Sequence, residues 1–484
     1  MILPRRGEPV DRERRAQLLR ALTPERVEQR IEELIAKKEL RLHEVFSDED
    51  VHRLCAELNV EFRERYFTPA VTLGLFVSQA LSRAEPCSAV VTKFNRERKR
   101  QHLPPICEDA SAYCRARAKL PVELIDRLSH QVVNKTQAKT PDDWKWNGLN
   151  VYLVDGLVLR APDTAANQER YRQPSTQKDG LGFPQVRVVI TTSLATGCIL
   201  HYNTGQVEGK KTGEATLFRE KHGDFEAGDV VVGDSNFESF HDAVLLKRYG
   251  VELVCCINGS RTSPFEGEAC GTIDDALMTV SKPKFDKTRF TRAQWEALPE
   301  SITYRVIRYR VSGRNTEITI VTTLLDDQRF GARDIADLYG LRWDVELDIC
   351  AYKSTMGMGE LRCHTPDNLD REIAVAVLGY NLVRLLMADT AAVMVVHPRE
   401  ISFSQARDAW RSFSDELETP HDLMWIILSA SSRLVRDRPG REEPRALKKR
   451  GLTKYAKLKE PRPSRAYRPT QPSKGPPAKP PENP

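Results

Sequence analysis

One apolar segment of the chain, LYGLRWDVELDICAYK at 338–353, carries four polar side chains at helical spacing. On an ideal helix of about 100° per residue they share a stripe about 60° wide: Tyr339, Arg342, Glu346 and Lys353. Buried charges are rare unless they are paired, bound to a metal or turned towards a ligand. The stripe therefore predicts a functional site. A simple alternative is an Arg342–Glu346 ion pair one turn apart, with Lys353 extending to solvent.

The same spacing predicts which other sides of this helix are buried and which face water. The flanks of the stripe are apolar and are predicted to be buried: Leu338, Val345 and Ile349 on one side, and Trp343, Leu347 and Cys350 on the other. Three aspartates fall opposite the stripe, where we expect water: Asp337, Asp344 and Asp348.

Two further aspartates, Asp155 and Asp234, lie in or at the end of β-branched runs. A single aspartate at a strand end is usually a turn residue or a helix cap. If both converge with Glu346, the three carboxylates repel one another unless cations neutralise them. Hard oxygen ligands select Mg²⁺ or Mn²⁺, and two such ions can activate a water or a 3′-hydroxyl in phosphodiester transfer. Arg342 and Lys353 would then bind phosphates.

The elements that must position these residues change along the chain. Residues 1–145 show helical spacing of apolar residues at 26–40, 71–82 and 109–130. Between these helices, KFNRERKRQH at 93–102 is a basic cluster that suits contact with a DNA backbone. Its cations are Lys93, Arg96, Arg98, Lys99 and Arg100. A solvated charged face is the commoner explanation of such a cluster.

From residue 146 onwards, short β-branched runs predict an α/β sheet. NVYLVDGLVLR, QVRVVITTSL and CILHYNTG indicate an antiparallel meander, the last two joined by a Thr-Gly turn at 196–197. Helices at 213–222 and 238–249 alternate with the strands DVVVGD and VELVCCI. YRVIRYRV and EITIVTTLL then indicate a β-hairpin before the helix at 338–353, and further helices run to about 437.

Length and composition limit which classes of protein the chain can belong to. The 484 residues allow two or three domains, and the charged N-terminus and lack of long apolar runs argue against a secretory signal or a membrane span. Ten scattered cysteines without a CxxC pair indicate reduced thiols in a cytoplasm. The tail at 441–484 has 13 Lys plus Arg against 4 Asp plus Glu, a net of +9, whereas the remainder has 61 against 64. Its ten prolines predict a disordered basic arm over 438–484.

These motifs resemble those of bacterial DDE transposases of the insertion-sequence-four family. The spacing Tyr339-x2-Arg342-x3-Glu346-x6-Lys353 is similar to the Y-R-E-K signature of that family. VDG with APDTAAN beyond it, VVGDSNF, and LRCHTPDNLDREI at 361–373 resemble its two aspartate motifs and its usual continuation. The resemblance covers about 70–395. SNF after the second aspartate departs from the commoner arginine-containing form.

The resemblance implies an RNase H-like catalytic domain at 146–437, a mixed sheet flanked by helices, with a β-rich insertion within about 259–325. It also implies an all-α DNA-binding domain at 1–145, and a homodimer acting on paired transposon ends and target DNA. The catalytic metal ligands implied for two Mg²⁺ or Mn²⁺ ions are Asp155, Asp234 and Glu346. Tyr339, Arg342 and Lys353 are implied to contact phosphates near the cleaved end.

The main functional hypothesis is a bacterial cytoplasmic, cut-and-paste transposase. One alternative is a transposase-derived DNA-binding protein without catalytic activity, although all three candidate ligands are present. A glycosidase with paired carboxylates would leave the cations of the stripe unexplained, and aromatic residues are only 7% of the chain. A serine or cysteine nucleophile has no GxSxG or comparable frame to support it.

Overall fold

The computed structural model describes residues 23–40, 42, 47–62, 65–82, 85–257, 264–265, 273–287, 291–310, 317–413 and 419–435. The basic arm predicted at 438–484 lies outside these residues. So does much of the predicted insertion before position 273.

The described residues form helices and strands in the following order. The N-terminal helices are α1 (Pro24–Ala36), α2 (Asp48–Glu57), α3 (Pro69–Leu81), α4 (Cys87–Arg100), α5 (Ser111–Lys119) and α6 (Val122–Ala138). The sheet region is β1 (Val151–Arg160), α7 (Ala165–Arg170), β2 (Gln185–Ser193), β3 (Ile199–Gln206), α8 (Glu214–Arg219), β4 (Val230–Gly233), α9 (Phe240–Arg248), β5 (Glu252–Cys256), β6 (Ile273–Ser281), α10 (Arg292–Glu296), β7 (Ser301–Arg310) and β8 (Glu317–Thr322). The last helices are α11 (Ala332–Gly340), α12 (Asp344–Cys350), α13 (Pro366–Met394), α14 (Phe403–Phe413) and α15 (Pro420–Ser431).

The strands form one mixed sheet in the order β3-β2-β1-β4-β5-β8-β7-β6. Strands β1, β2 and β3 make the predicted antiparallel meander, whereas β4 and β5 continue from β1 in parallel. The turn between β2 and β3 contains Gly197 at φ +75°, a left-handed conformation that glycine adopts without steric cost. The first five strands have the arrangement of an RNase H-like domain, so the predicted α/β fold class is confirmed.

The β-rich insertion extends this sheet. Strands β7 and β8 form the predicted hairpin, and β6 pairs with β7 at the outer edge. Because β8 also pairs antiparallel with β5, the hairpin continues the hydrogen-bonded ladder of the parallel strands. The described part of the insertion therefore shares one sheet with the first five strands.

Helices cover both faces of the sheet. Leu153 and Val232 point to the face that packs in one core with α13, whereas the alternate residues Val154 and Val231 pack with α8 and α9. Successive strand side chains alternate between faces, so one short strand contributes to two cores. This burial on both faces explains why β1 and β4 are almost wholly apolar.

Helix α13 is the centre of the larger core. Within the described residues it is long and apolar enough to span a membrane by length and composition, but its apolar window is 100% buried inside the protein. Helices α3, α6, α14 and α15 pack around it, and α1 packs against α15. The N-terminal and C-terminal helices thus share one core. The domain boundary at residue 145 stays a prediction.

The predicted N-terminal helices are present with one correction. The spacing at 26–40 and 71–82 corresponds to α1 and α3. The spacing at 109–130 covers two helices, because Leu120 before Pro121 is extended (φ −66°, ψ 121°). A residue before proline is disfavoured in the helical region, which ends α5 at Lys119.

Candidate active site

Asp155 and Asp234 occupy equivalent positions on neighbouring parallel strands. Leu153 of β1 pairs with Val232 of β4, and each aspartate follows two residues later. Neighbouring strands are about 4.8 Å apart and residues two apart share a face. The register therefore brings both carboxyl groups to the face covered by α11–α13.

The backbone around each aspartate orients its carboxylate. The backbone N–H of Gly156 donates to Oδ1 of Asp155 at 2.7 Å. The backbone N–H of Asn236 donates to Oδ1 of Asp234 at 2.8 Å, and the Asn236 side chain donates to Oδ2 at 3.2 Å. Asp234 thus closes the turn after β4, as the simple alternative predicts, while its carboxylate remains beside that of Asp155.

The segment that carries the other candidates is helical from 332 to 355 but is not one uniform helix. Helix α11 is followed by a 3₁₀ turn (Leu341–Trp343), α12 and a π-helical turn (Ala351–Thr355). Tyr339, Arg342, Glu346 and Lys353 therefore each lie on a different one of these four pieces. Because 3₁₀ and π turns differ in pitch from an α-helix, the ideal 100° spacing only approximates the observed directions.

Arg342 contacts an aspartate of the sheet. Its Nη1 lies 3.8 Å from Oδ2 of Asp155. Among the residues that the structure describes, Glu346 makes no ion pair and no hydrogen bond, so the simple alternative of an Arg342–Glu346 pair is wrong. Arg342 of the predicted stripe thus faces a carboxylate of the sheet.

The three acidic candidates interact electrostatically. Burial raises the pKa of Asp155 to about 6, and the nearby carboxylates of Glu346 and Asp234 act in the same direction. The Gly156 N–H and the Arg342 guanidinium oppose this shift. Asp155 therefore lies in the middle of β1, within electrostatic range of Asp234 and Glu346.

Lys353 lies near Arg160, at the end of β1. Burial lowers the pKa of the half-buried Lys353, and the nearby Arg160 guanidinium lowers it further. Arg160 ends β1 and exchanges backbone hydrogen bonds with the segment after the π turn, accepting from Leu361 N at 2.8 Å and donating to Gly359 O at 3.1 Å. Two like charges are thus held near each other, an arrangement that a bound anion would stabilise.

Tyr339 lies beside Cys256 of β5. It is partly buried against the larger core, and burial raises the pKa of its hydroxyl. The side chains of Tyr339 and Cys256 are within hydrogen-bonding reach, at the end of β5. Tyr339 therefore adjoins the third strand of the parallel set, next to the strand that carries Asp234.

The side of α12 opposite Glu346 corrects the sequence prediction. Asp344 and Asp348, predicted to face water, are only 5% and 0% exposed. They pair with two buried arginines, Arg384 and Arg399. Together these four residues form the arginine–aspartate cluster. Arg384 in the apolar run NLVRLLM was the one local signal, since a buried guanidinium requires a partner.

The predicted apolar flank at Trp343, Leu347 and Cys350 is also wrong. Trp343 is 60% exposed and Leu347 is 48% exposed, and Cys350 is exposed. The other flank is as predicted, with Leu338 and Val345 in the core and Ile349 packed against it. Helix α12 is therefore turned so that its aspartates, rather than Trp343, face the protein interior.

The N-terminal basic cluster lies on α4. Arg96, Lys99 and Arg100 are exposed. Lys93 Nζ pairs with Glu85 at 2.6 Å, and Arg98 donates to Pro104 O at 2.9 Å with its guanidinium over the ring of Tyr66. The structure thus presents most of these cations to solvent while Arg98 also holds the loop that follows the helix.

The acidic site has the ligand chemistry that Mg²⁺ or Mn²⁺ requires. Its donors are carboxylate oxygens, and the pKa of Asp155 is raised mainly by burial and further by the negative charges of Glu346 and Asp234, which a divalent cation would offset. Within the described residues, no three His, Cys, Asp or Glu side chains are close enough together to enclose an ion as they stand. Arg342 supplies the positive charge beside Asp155. The metal ligands stay a prediction that this donor set supports.

Comparison with known proteins points to one family. Residues 146–382 match the family model described as a transposase DDE domain. The chain is 24% identical over 372 residues to transposase InsG for insertion sequence element IS4 of Escherichia coli (strain K12), which covers 75% of this chain and 80% of that protein. A cryo-EM structure of the piggyBac transposase synaptic complex with hairpin DNA covers 80% of this chain and 78% of that chain, at 11% identity and a TM-score of 0.38. The family match includes the segments that hold Asp155, Asp234 and Glu346.

Proposed function

Because the chain belongs to the DDE transposases of the insertion-sequence-four type, we propose that it cleaves DNA strands at the ends of a mobile element and joins the 3′-hydroxyl to target DNA. One observation carries this proposal. Asp155 and Asp234 each follow two residues after a paired residue of neighbouring parallel strands, and the Arg342 guanidinium of the covering helical segment lies 3.8 Å from Asp155. An acidic site on two strands and a covering helix, flanked by cations, suits phosphodiester chemistry and so supports this proposal.

The proposed catalytic residues are the three carboxylates. Asp155, Asp234 and Glu346 would hold Mg²⁺ or Mn²⁺, with two ions per site. When bound, the ions activate the attacking oxygen and stabilise the leaving oxygen. The hydrogen bonds from Gly156 and Asn236 orient the two aspartates before any ligand arrives.

The proposed DNA contacts surround the carboxylates. Arg342, 3.8 Å from Asp155, and Lys353, near Arg160 at the end of β1, would contact phosphates, and Tyr339 beside Cys256 would add a hydroxyl. A phosphate bound between Lys353 and Arg160 would relieve the repulsion of their charges. On α4, the exposed cations would bind the backbone of double-stranded DNA farther from the cleaved bond.

We further propose that the protein acts in the bacterial cytoplasm as a homodimer on paired ends. Two copies of the protein are proposed because two ends must be held together to join one target, with one copy at each end. The basic arm at 438–484 is an additional candidate for contact with the DNA backbone.

The test of this function is cleavage of labelled DNA that carries the terminal inverted repeats flanking the reading frame. We expect strand cleavage with Mg²⁺ or Mn²⁺ and none with EDTA, because the carboxylates need a cation to hold the reacting oxygens. A protein that binds the ends specifically but does not cleave them with either ion would be a transposase-derived DNA-binding protein.

The salt dependence of end binding tests the role of α4. We expect the triple variant Arg96→Gln, Lys99→Gln, Arg100→Gln to lower the slope of log K against log salt by about 0.9 for each phosphate that the helix no longer neutralises. Fluorescence anisotropy with labelled end DNA over a salt series measures the slope. Deleting residues 441–484 should lower it as well.

A matched variant controls for the change in net charge. Three exposed cations on other helices, changed together to Gln, remove the same charge: Arg53, Lys247 and Arg292. This control should keep the parent slope. If the α4 variant also keeps it, helix α4 is not part of the DNA interface.

A further inference from the structure

The arginine–aspartate cluster connects α12 to three other parts of the fold. Arg399 donates to both carboxylate oxygens of Asp348 at 3.1 Å, and its Nε lies 3.6 Å from Asp344 Oδ2. Arg384 on α13 also donates to Asp348. Arg399 follows α13 in a 3₁₀ turn, so the two arginines hold the same helix from separate elements.

The cluster also reaches the sheet. Arg399 donates to Leu194 O at 2.6 Å and to Ser193 O at 2.8 Å, in the turn that joins β2 to β3. A Cβ at Gly197 in this turn would lie 2.7 Å from Cζ of Arg384, so the backbone approaches the guanidinium closely. Because β2 is the direct neighbour of β1, the cluster links the helix of Glu346 to the sheet of Asp155.

Stability alone does not account for four buried charges. Asp348 is 0% exposed, and the other three members are at most 9% exposed. Well-packed apolar side chains of similar volume often serve stability as well as a buried ion-pair network does. Unlike apolar side chains, paired charges also fix the relative orientation of the elements that carry them, since a guanidinium and a carboxylate bind strongly in few relative orientations.

Helix α12 is an element whose rotation needs such a constraint. It has 7 residues and lies between a 3₁₀ turn and a π turn, so no uniform α-helix continues through it. Asp344 and Asp348 lie one turn apart, and Glu346 lies about 200° from Asp344 around the axis. Holding the two aspartates therefore sets where the Glu346 carboxylate points.

The required accuracy is high. A side chain tip about 6 Å from the helix axis moves about 1 Å when the helix turns by about 10°. A displacement of about 1 Å in a catalytic site can cost about 100-fold in rate. A loosely held α12 would thus remain folded and still place Glu346 badly.

We propose that the arginine–aspartate cluster positions Glu346 by fixing the rotation of α12 relative to the sheet that carries Asp155 and Asp234. This inference rests on the proposed function, in which Glu346 acts with the two aspartates. The four side chains are buried in the interior, where DNA does not reach, so they act as positioning residues. Their removal should impair the chemical step more than DNA binding.

The main test replaces the whole cluster by apolar residues: Asp344→Leu, Asp348→Leu, Arg384→Met and Arg399→Met. This quadruple variant leaves no buried charge without a partner, so we expect it to fold. At saturating end DNA we expect cleavage to fall about 100-fold, with the Kd for end DNA within about twofold of the parent. Hydrogen exchange of the amides at 344–350 should become faster than in the parent.

Two further variants separate positioning from stability. Leu246→Ala creates a cavity in α9, on the opposite face of the sheet, and should cleave at the parent rate well below its Tm although it is destabilised. Asp344→Asn keeps the size of the side chain and removes one charge, while Arg399 and Arg384 both stay paired with Asp348. It should lower cleavage about tenfold with parent-like DNA binding, and it serves if the quadruple variant does not fold.

The possible outcomes are distinguishable. A folded quadruple variant that cleaves at close to the parent rate, with unchanged exchange at 344–350, would overturn the positioning role. Equal loss of cleavage in Leu246→Ala would overturn it too, because the effect would follow stability. A parent protein that never cleaves would overturn the proposed function, while the exchange measurement, which needs no DNA, would still decide whether the cluster holds α12.

Discussion

We expect the Glu346→Gln variant to lose strand cleavage and strand transfer by about a thousandfold or more while it binds end DNA like the parent. Gln keeps the size and helix propensity of the side chain but removes the charge that holds a metal ion. Metal charge stabilisation is worth several kcal/mol in such reactions, and each 1.36 kcal/mol is about tenfold in rate. The fold should be unaffected, since Glu346 makes no hydrogen bond or ion pair within the described residues.

Single-turnover cleavage and strand transfer on labelled end DNA with Mg²⁺ or Mn²⁺ measure this loss, and anisotropy measures binding. Glu296→Gln is the matched control, because Glu296 is an exposed helical glutamate paired with Arg292 on α10. It should retain full activity. If Glu346→Gln cleaves at close to the parent rate, Glu346 has only a structural role and the proposed metal site is wrong.

The second large effect concerns stability. Arg399→Met alone should lower the free energy of unfolding by about 3–5 kcal/mol, because it removes one partner of a buried ion-pair network. Arg399 is 9% exposed, and its loss leaves Asp344 without that guanidinium and Asp348 with only Arg384. Most of the expected loss is the cost of the aspartate charges left in the interior.

Urea unfolding followed by circular dichroism measures this difference. The quadruple apolar variant should be much more stable than Arg399→Met although it carries three more substitutions, because it leaves no unpaired charge. Such strong non-additivity is expected of residues in one network. If Arg399→Met unfolds at the parent urea concentration, the guanidinium does not compensate the buried aspartates.

Much of the fold was predictable because strand and turn signals are local. β-branched runs marked β1 to β5, and a Thr-Gly pair marked the turn at 196–197, where the backbone requires the left-handed conformation of Gly197. Helical spacing marked α1 and α3. The exception at 109–130 was also local, since Pro121 divides that segment into two helices. How the insertion joins the sheet was not predictable, because pairing of β8 with β5 depends on residues far apart in the chain.

The composition of the candidate site was likewise contained in the sequence. Tyr339, Arg342, Glu346 and Lys353 all lie on one continuous helical segment, as their spacing predicts, although that segment includes a 3₁₀ turn and a π turn. Each aspartate lies two residues after the last residue that pairs β1 with β4, a position that can be counted along the sequence of either strand. These features need only the regular geometry of helices and strands.

Which side of α12 faces the interior was decided by the tertiary structure alone. The pattern rule places charged residues in water and Trp343 in the core, because an isolated buried aspartate is costly. Here the aspartates are not isolated. Their partners Arg384 and Arg399 lie 36 and 51 residues from Asp348, so no local pattern reveals the pairing. With those guanidinium groups buried alongside, the charge of Asp348 is compensated in the interior, and Trp343 is left exposed on the other side of the helix.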